Sequence, residues 1–344
     1  MSFGKFKLVL CAILLACISA TQAKSQTDLI TQDLSNVPPE LAEVLLEAEA
    51  AWEERLIGYS TELPDAILQQ LTTIQITSLL MPLDGPGGTL AVAGPTQVLT
   101  YEPPLGANNQ NTSAVALAGT AIFDSDDSFP ATAREREILV AVAIHEFGHA
   151  MGFGTLWQFR SIIGNQNPLS NGLSQYINGQ YALAEYRRAI EEPFAPFVPV
   201  SQPDLGHWAR GPGLFFPETN QQDVMLATTG FFNDAGELIE PVEIITEITF
   251  AAMADLGFAV TGFNEQFAAP PGPGTGRWPK ITGPGTDPFA LNGIRAAQGV
   301  AFRQVNIQRA KRRGPDTAKP EVVEVTNTNR LDPYNLRNLR WTNK

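Results

Sequence analysis

Two of the chain's three histidines stand in His145-Glu146-Phe147-Gly148-His149. This pentad constrains the fold more than any other feature. Residues four apart project from one face of a helix, so the two imidazoles can close on one metal ion only if the segment is helical. The third histidine, His207, stands alone in Gly206-His207-Trp208. Structural zinc sites use four protein ligands, whereas catalytic ones often use three and keep a position for water. Three imidazoles with one glutamate beside the pair fit the catalytic arrangement. They point to a zinc hydrolase with His145 and His149 as ligands and Glu146 as general base.

The flanking residues mark out the helix. Thr132 and Glu135 have capping-box spacing after Pro130. Ile138, Leu139, Val142 and Ile144 supply an apolar side, and Gly152 and Gly154 end the helix and permit a sharp turn. A chance HExxH on a solvated helical face needs neither a capped apolar helix before it nor glycines after it. In the chemistry expected of such a site, zinc lowers the pKa of its bound water towards about 7, and Glu146 accepts the proton. The developing oxyanion of a carbonyl substrate is stabilised by the metal, and Glu146 passes the proton to the leaving amine.

Hydrophobic content of 44% and charged content of 17% over 344 residues are those of a globular protein with a full core. Residues 1–23 read as a secretion signal: Lys5 and Lys7 precede the apolar stretch Leu8–Ile18, and Thr21-Gln22-Ala23 offers a cleavage site. That stretch is too short to cross a bilayer, and no transmembrane span is expected. A secreted, extracellular or periplasmic location follows. The rival processing, at the lipobox-like Leu14-Leu15-Ala16-Cys17, would leave a lipidated Cys17 as an anchor. Cys11 and Cys17 both lie within the signal, so a mature chain starting at Lys24 has no disulfide.

Net charge is −13. Eleven Lys/Arg stand against four Asp/Glu over Arg295–Lys344, whereas the body before it is strongly acidic. An acidic body argues against a nucleic-acid partner. The basic tail is a solvated segment, with association with an anionic surface as its functional alternative.

Leu41–Ile57 has apolar residues at helical spacing, with Gly58 to end it. Ile74–Leu80, Thr96–Tyr101 and Gly119–Phe123 read as strands, the last as an edge for an extended substrate. Asp124-Ser125-Asp126-Asp127 reads as a solvated turn, with calcium as its weaker alternative. Tyr181–Ile190 and Thr246–Leu256 read as further helices. The Gly/Pro-rich composition makes 263–288 a linker. The expected organisation is a signal over 1–23, an arm or short propeptide over 24–39, a catalytic domain over 40–262, that linker, and a basic tail over 289–344.

The third ligand separates the peptidase classes. Ala150-Met151-Gly152 after His149 completes the HExxHxxG start of a metzincin. Most metzincins place the third histidine six residues beyond the second, where this chain has Thr155. His207 is the only histidine left. The alternative is a glutamate on a downstream helix, with Glu185 in the right place, but the glycine signature favours His207.

These segments resemble leishmanolysin-like zinc metallopeptidases of the bacterial secreted type. The resemblance is carried by HEFGHAMGFGTLW (His145–Trp157), YALAEY (Tyr181–Tyr186), GHW (Gly206–Trp208), DVM (Asp223–Met225) and AAMADLGFAV (Ala251–Val260). It covers roughly Ala48–Val260. It implies an α+β metzincin-type zincin domain with a twisted sheet, a zinc-binding active-site helix and a Met-turn. It also implies one zinc per chain, His207 as third ligand and Met225 as the methionine of the turn; on its own, Met225 is one more core methionine. The chain lacks the cysteines of the eukaryotic members, so their disulfides and any cysteine-based latency do not carry over. The function expected is a secreted zinc endopeptidase acting on protein or peptide substrates. The alternatives are a zinc hydrolase of non-peptide amides or esters, and a non-catalytic, zinc-stabilised surface adhesin. The last has no need of Glu146.

Overall fold

The chain begins its sheet earlier than its composition suggests. In the computed structural model, which describes residues 28–262 apart from short breaks (102–112 and 164–173 are the longest) together with 321–324, the first element is strand β1 (Ile30–Asp33). Helix α1 (Pro39–Glu53), strand β2 (Leu56–Tyr59) and the single turn α2 (Asp65–Leu68) follow. Three longer strands come next, β3 (Ile74–Met81), β4 (Ala91–Tyr101) and β5 (Ser113–Asp124), and lead into helix α3 (Ala133–Ala150), which carries the pentad. The second half is built from short pieces: β6 (Ser174–Tyr176), α4 (Gln180–Ala189), β7 (Val198–Val200), β8 (Phe215–Phe216), β9 (Gln221–Asp223), β10 (Phe231–Phe232), β11 (Leu238–Ile239), β12 (Val242–Ile244), α5 (Glu247–Asp255) and β13 (Phe258–Val260). A last strand, β14 (Glu321–Glu324), comes from the basic tail.

The main sheet has the order β1-β3-β5-β4-β14. Strands β1, β3 and β5 are parallel, while β4 runs antiparallel to β5 and β14 antiparallel to β4. Alternation along β4 divides the side chains between two faces. Val98 joins the large core with Trp52, Phe147, Met225 and Met253, whereas Leu99 joins a small second cluster with Leu63, Ile67 and Val115. One core therefore runs from α1 through the pentad helix into the second half. The indole of Trp52 also ties α1 to α3 by donating to the Ile144 carbonyl at 2.8 Å.

Four expectations need correction. Gly119–Phe123 lies inside β5, which is flanked by β3 and β4, so it is not an edge. Its residues are buried on both faces, the pattern of a central strand. The body starts before residue 40: Leu29 and Ile30 are buried, β1 pairs with β3, and the Ile30 amide donates to Glu53 Oε1 at 2.7 Å. Helix α1 stops at Glu53 rather than Ile57, because Leu56–Tyr59 pairs with β13 instead. The tail is not wholly separate, since Glu321–Glu324 pairs with Gln97–Thr100 of β4. The signal, Cys11, Cys17, the 263–288 linker and the rest of the tail lie outside the described residues.

Truncation after Pro270 removes β14 and bares the outer side of β4. A four-residue edge strand contributes about 1–2 kcal/mol, so the melting temperature should fall by roughly 2–8 °C with cooperative unfolding kept. The unpaired edge should raise self-association. Light scattering and a melting curve of the two lengths check this. Loss of a cooperative transition would make the tail an integral part of the fold.

Candidate metal centre

The site is assembled at the end of α3. Its start is fixed by a reciprocal cap: Thr132 Oγ1 accepts from the Glu135 amide at 3.2 Å, and the Glu135 carboxylate accepts from the Thr132 amide at 3.0 Å. From there the helix runs from an exposed first turn into the core, and His145 through Ala150 are all buried. Gly152 turns the chain out of the helix at φ +106°. At Gly154 a Cβ would fall 2.4 Å from the Gly206 carbonyl oxygen. Only glycine lets the loop carrying His207 come so close to the turn that leaves α3. Behind that loop, Trp208 is walled in by Phe153, Trp157 and Tyr176, with ring centroids 4.9–5.2 Å from its own.

The three imidazoles meet. The Nε2 atoms of His145 and His207 are 3.0 Å apart, those of His149 and His145 3.0 Å, and those of His149 and His207 2.9 Å. His145 Nδ1 lies 2.6 Å from the Val224 carbonyl oxygen and His149 Nδ1 3.1 Å from that of Phe153. A carbonyl oxygen can only accept, so both Nδ1 atoms carry their protons. Burial, and then the neighbouring His145 and His207, hold His149 well below the usual histidine range, so that ring is neutral. The Nε2 atom of a neutral Nδ1–H imidazole is an acceptor. His149 Nε2 therefore offers a lone pair towards the Nε2 atoms of His145 and His207, and a cation among the three nitrogens would accept it. Ligand nitrogens about 2.0–2.1 Å from a tetrahedral zinc stand roughly 3.3 Å apart. The triangle found here is slightly tighter than that and of the right shape, so the donor set fits zinc.

Glu146 is fully buried, and neither carboxyl oxygen has a hydrogen-bond partner. Desolvation pushes its pKa up to about 8. Met225 is buried under the same helix turn. A Cβ at Gly148, between His145 and His149, would lie 2.8 Å from Met225 Sδ, so the pentad's glycine makes room for that sulfur.

The other residues singled out in the sequence are not brought to the site. Glu185 is buried on α4, with its carboxylate 2.6 Å from Arg188 Nη2. Among the described residues, the three histidines are the only group of three or more His, Cys, Asp or Glu placed to hold a metal ion, and no carboxylate joins them. Thr155 is buried, with its hydroxyl unpartnered. Asp124 is buried and spends its carboxylate on backbone, accepting from the amides of Asp126 at 2.9 Å and Asp84 at 3.3 Å. That is a turn held by its own side chain, and it gives the calcium alternative no support. Sequence reasoning missed the Val224 and Phe153 carbonyls that orient two imidazoles, because a backbone acceptor leaves no mark in the sequence. No protein-family model matches the chain, and no curated protein matches it.

Proposed function

We propose that this protein is a secreted zinc endopeptidase whose catalytic body has the α+β metzincin-type fold, with His145, His149 and His207 as metal ligands, Met225 as the Met-turn methionine and Glu146 as general base. One observation carries the reading: three buried imidazoles bring their Nε2 atoms within 3.0 Å of one another, and Glu146, which lies between two of them in the pentad, is buried with a carboxyl that bonds to nothing else. Zinc bound there would supply Lewis acidity towards a carbonyl oxygen and a lowered water pKa. Glu146 does the proton work. Its carboxyl is not held by any other donor, so it can accept a proton at either oxygen and release it to the leaving amine. Desolvation keeps its basicity high compared with an exposed carboxylate, which suits an acceptor acting near neutral pH. The Val224 and Phe153 carbonyls keep His145 and His149 in the tautomer that offers Nε2.

Purified protein should digest denatured casein, lose that activity in a chelator and regain it with zinc. No cleavage of casein or of a peptide library by zinc-loaded protein would reject the endopeptidase reading. Hydrolysis of ester or simple amide substrates alone would move the function to the non-peptide class.

A further inference from the structure

Asp223, at the end of β9, is completely buried. Its carboxylate gathers four donors from three residues, one in the turn that follows β9 and two at the start of α5. Oδ1 accepts from the Met225 amide at 2.7 Å. Oδ2 accepts from the Thr246 amide at 3.1 Å, the Thr246 hydroxyl at 2.5 Å and the Thr249 hydroxyl at 2.8 Å. The contacts run on from there in two directions. The bond to the Met225 amide closes the turn Asp223–Met225, and the Val224 carbonyl inside that turn accepts from His145 Nδ1 at 2.6 Å. The Thr249 hydroxyl, in turn, accepts from the indole of Trp208 at 2.8 Å. Trp208 directly follows His207, and its amide donates to the Met225 carbonyl at 3.0 Å.

We infer that Asp223 is the positioning residue of the metal centre, setting the separation of His145 and His207 through the Val224 carbonyl on one side and the Thr249–Trp208 link on the other. The inference rests on the metal-centre reading above. Its physical basis is cost and direction. A buried carboxylate without donors is strongly unfavourable, whereas one with four fixed donors holds all four at defined places. His145 and His207 are 62 residues apart, and the helix cannot set their distance. One buried acceptor that reaches both neighbourhoods can.

In Asp223→Asn, an NH2 group replaces one oxygen. Either the Met225 amide or the Thr246 amide then faces a donor, so the turn or its tether to α5 must open. Thr249→Val removes, in an isosteric way, both the Trp208 link and one donor to Asp223 Oδ2, and Thr249→Ser restores the hydroxyl. The probes are a zinc competition titration and the visible absorption of the cobalt-substituted protein. Asp223→Asn should bind zinc about 10–100-fold more weakly, as loss of an outer ligand partner does, and show a shifted cobalt spectrum. Thr249→Val should weaken zinc several-fold, and Thr249→Ser should bind as wild type does. If Asp223→Asn is too unstable to purify, the Thr249 pair decides. Zinc affinity and cobalt spectra unchanged in both Asn and Val variants, with only the melting temperature lowered, would reduce Asp223 to a structural role and overturn the inference. Wild-type protein that takes up no zinc would overturn this inference and the proposed function together, whereas zinc uptake without peptidase activity would leave this inference standing.

Discussion

Replacing His207 by alanine should abolish high-affinity zinc binding while leaving the metal-free fold intact. The variant keeps His145 and His149, one helical turn apart, and loses the ligand that closes the triangle at 2.9 and 3.0 Å. Two imidazoles on one helix still attract a cation, but with the third place open the affinity should drop by more than about 100-fold, beyond the loss from removing an outer-shell partner alone. Competition with a chromogenic chelator reads this directly. Melting curves give a second readout. A ligand that binds only the folded state raises stability by mass action, so wild type should melt at higher temperature when zinc is added and His207→Ala should not respond. In excess chelator the two proteins should melt within a few degrees of each other. Stoichiometric zinc at wild-type affinity in the variant would remove His207 from the ligand set. The third ligand would then have to come from elsewhere, and Glu185 would return despite its pairing with Arg188.

The parts of this site that were legible in the sequence are those set by local rules. The His145–His149 spacing, the Thr132–Glu135 cap and the glycines after His149 each act within one or two helical turns, and helix periodicity reads them directly. His207 was legible by a different route: the chain has only three histidines, and the family resemblance accommodates the long separation. Nothing local marks it. Strand neighbours were the least legible feature, because pairing is a non-local choice. The expectation that Gly119–Phe123 is an edge fails because a run buried on both faces belongs to a central strand. The helical period of Leu41–Ile57 continues past Glu53, but pairing of Tyr59 with Phe258 outweighs local propensity there. Strands β1 and β14 are four residues each, too short for alternation to stand out. Asp223 was visible in the sequence only as part of Asp223-Val224-Met225. Its four donors come from Met225, Thr246 and Thr249, and a carboxylate's partners more than twenty residues away cannot be read from the line of the chain.

Glu146→Gln should lose nearly all peptidase activity and gain stability in the metal-free protein, with the gain confined to a definite pH range. The amide is nearly isosteric and cannot take up a proton, so general-base loss should lower kcat by about 10²–10⁴-fold. The stability effect has a separate origin. Burial raises the Glu146 pKa from 4.5 to about 8. Below the lower value both the folded and the unfolded chain hold the proton, and the residue contributes no pH dependence. Between the two values the unfolded chain has released the proton and the fold has not, so this group destabilises the metal-free protein increasingly as pH rises. At about 1.4 kcal/mol per pH unit, the accumulated cost near pH 7.5 is on the order of 4 kcal/mol, or roughly 10 °C in melting temperature. Glutamine carries no such term. In excess chelator, Glu146→Gln should therefore melt well above wild type at pH 7.5, and the gap should close as pH falls towards 4.5. Other titrating groups are common to both proteins and cancel in the difference. A gap that does not vary with pH would mean that the carboxyl is not desolvated in solution. Activity within a few-fold of wild type in the zinc-loaded variant would remove Glu146 as the base, whatever the melting curves show. Loss of activity together with the pH-dependent gain in stability would describe a residue kept in an unfavourable place because the reaction needs it there.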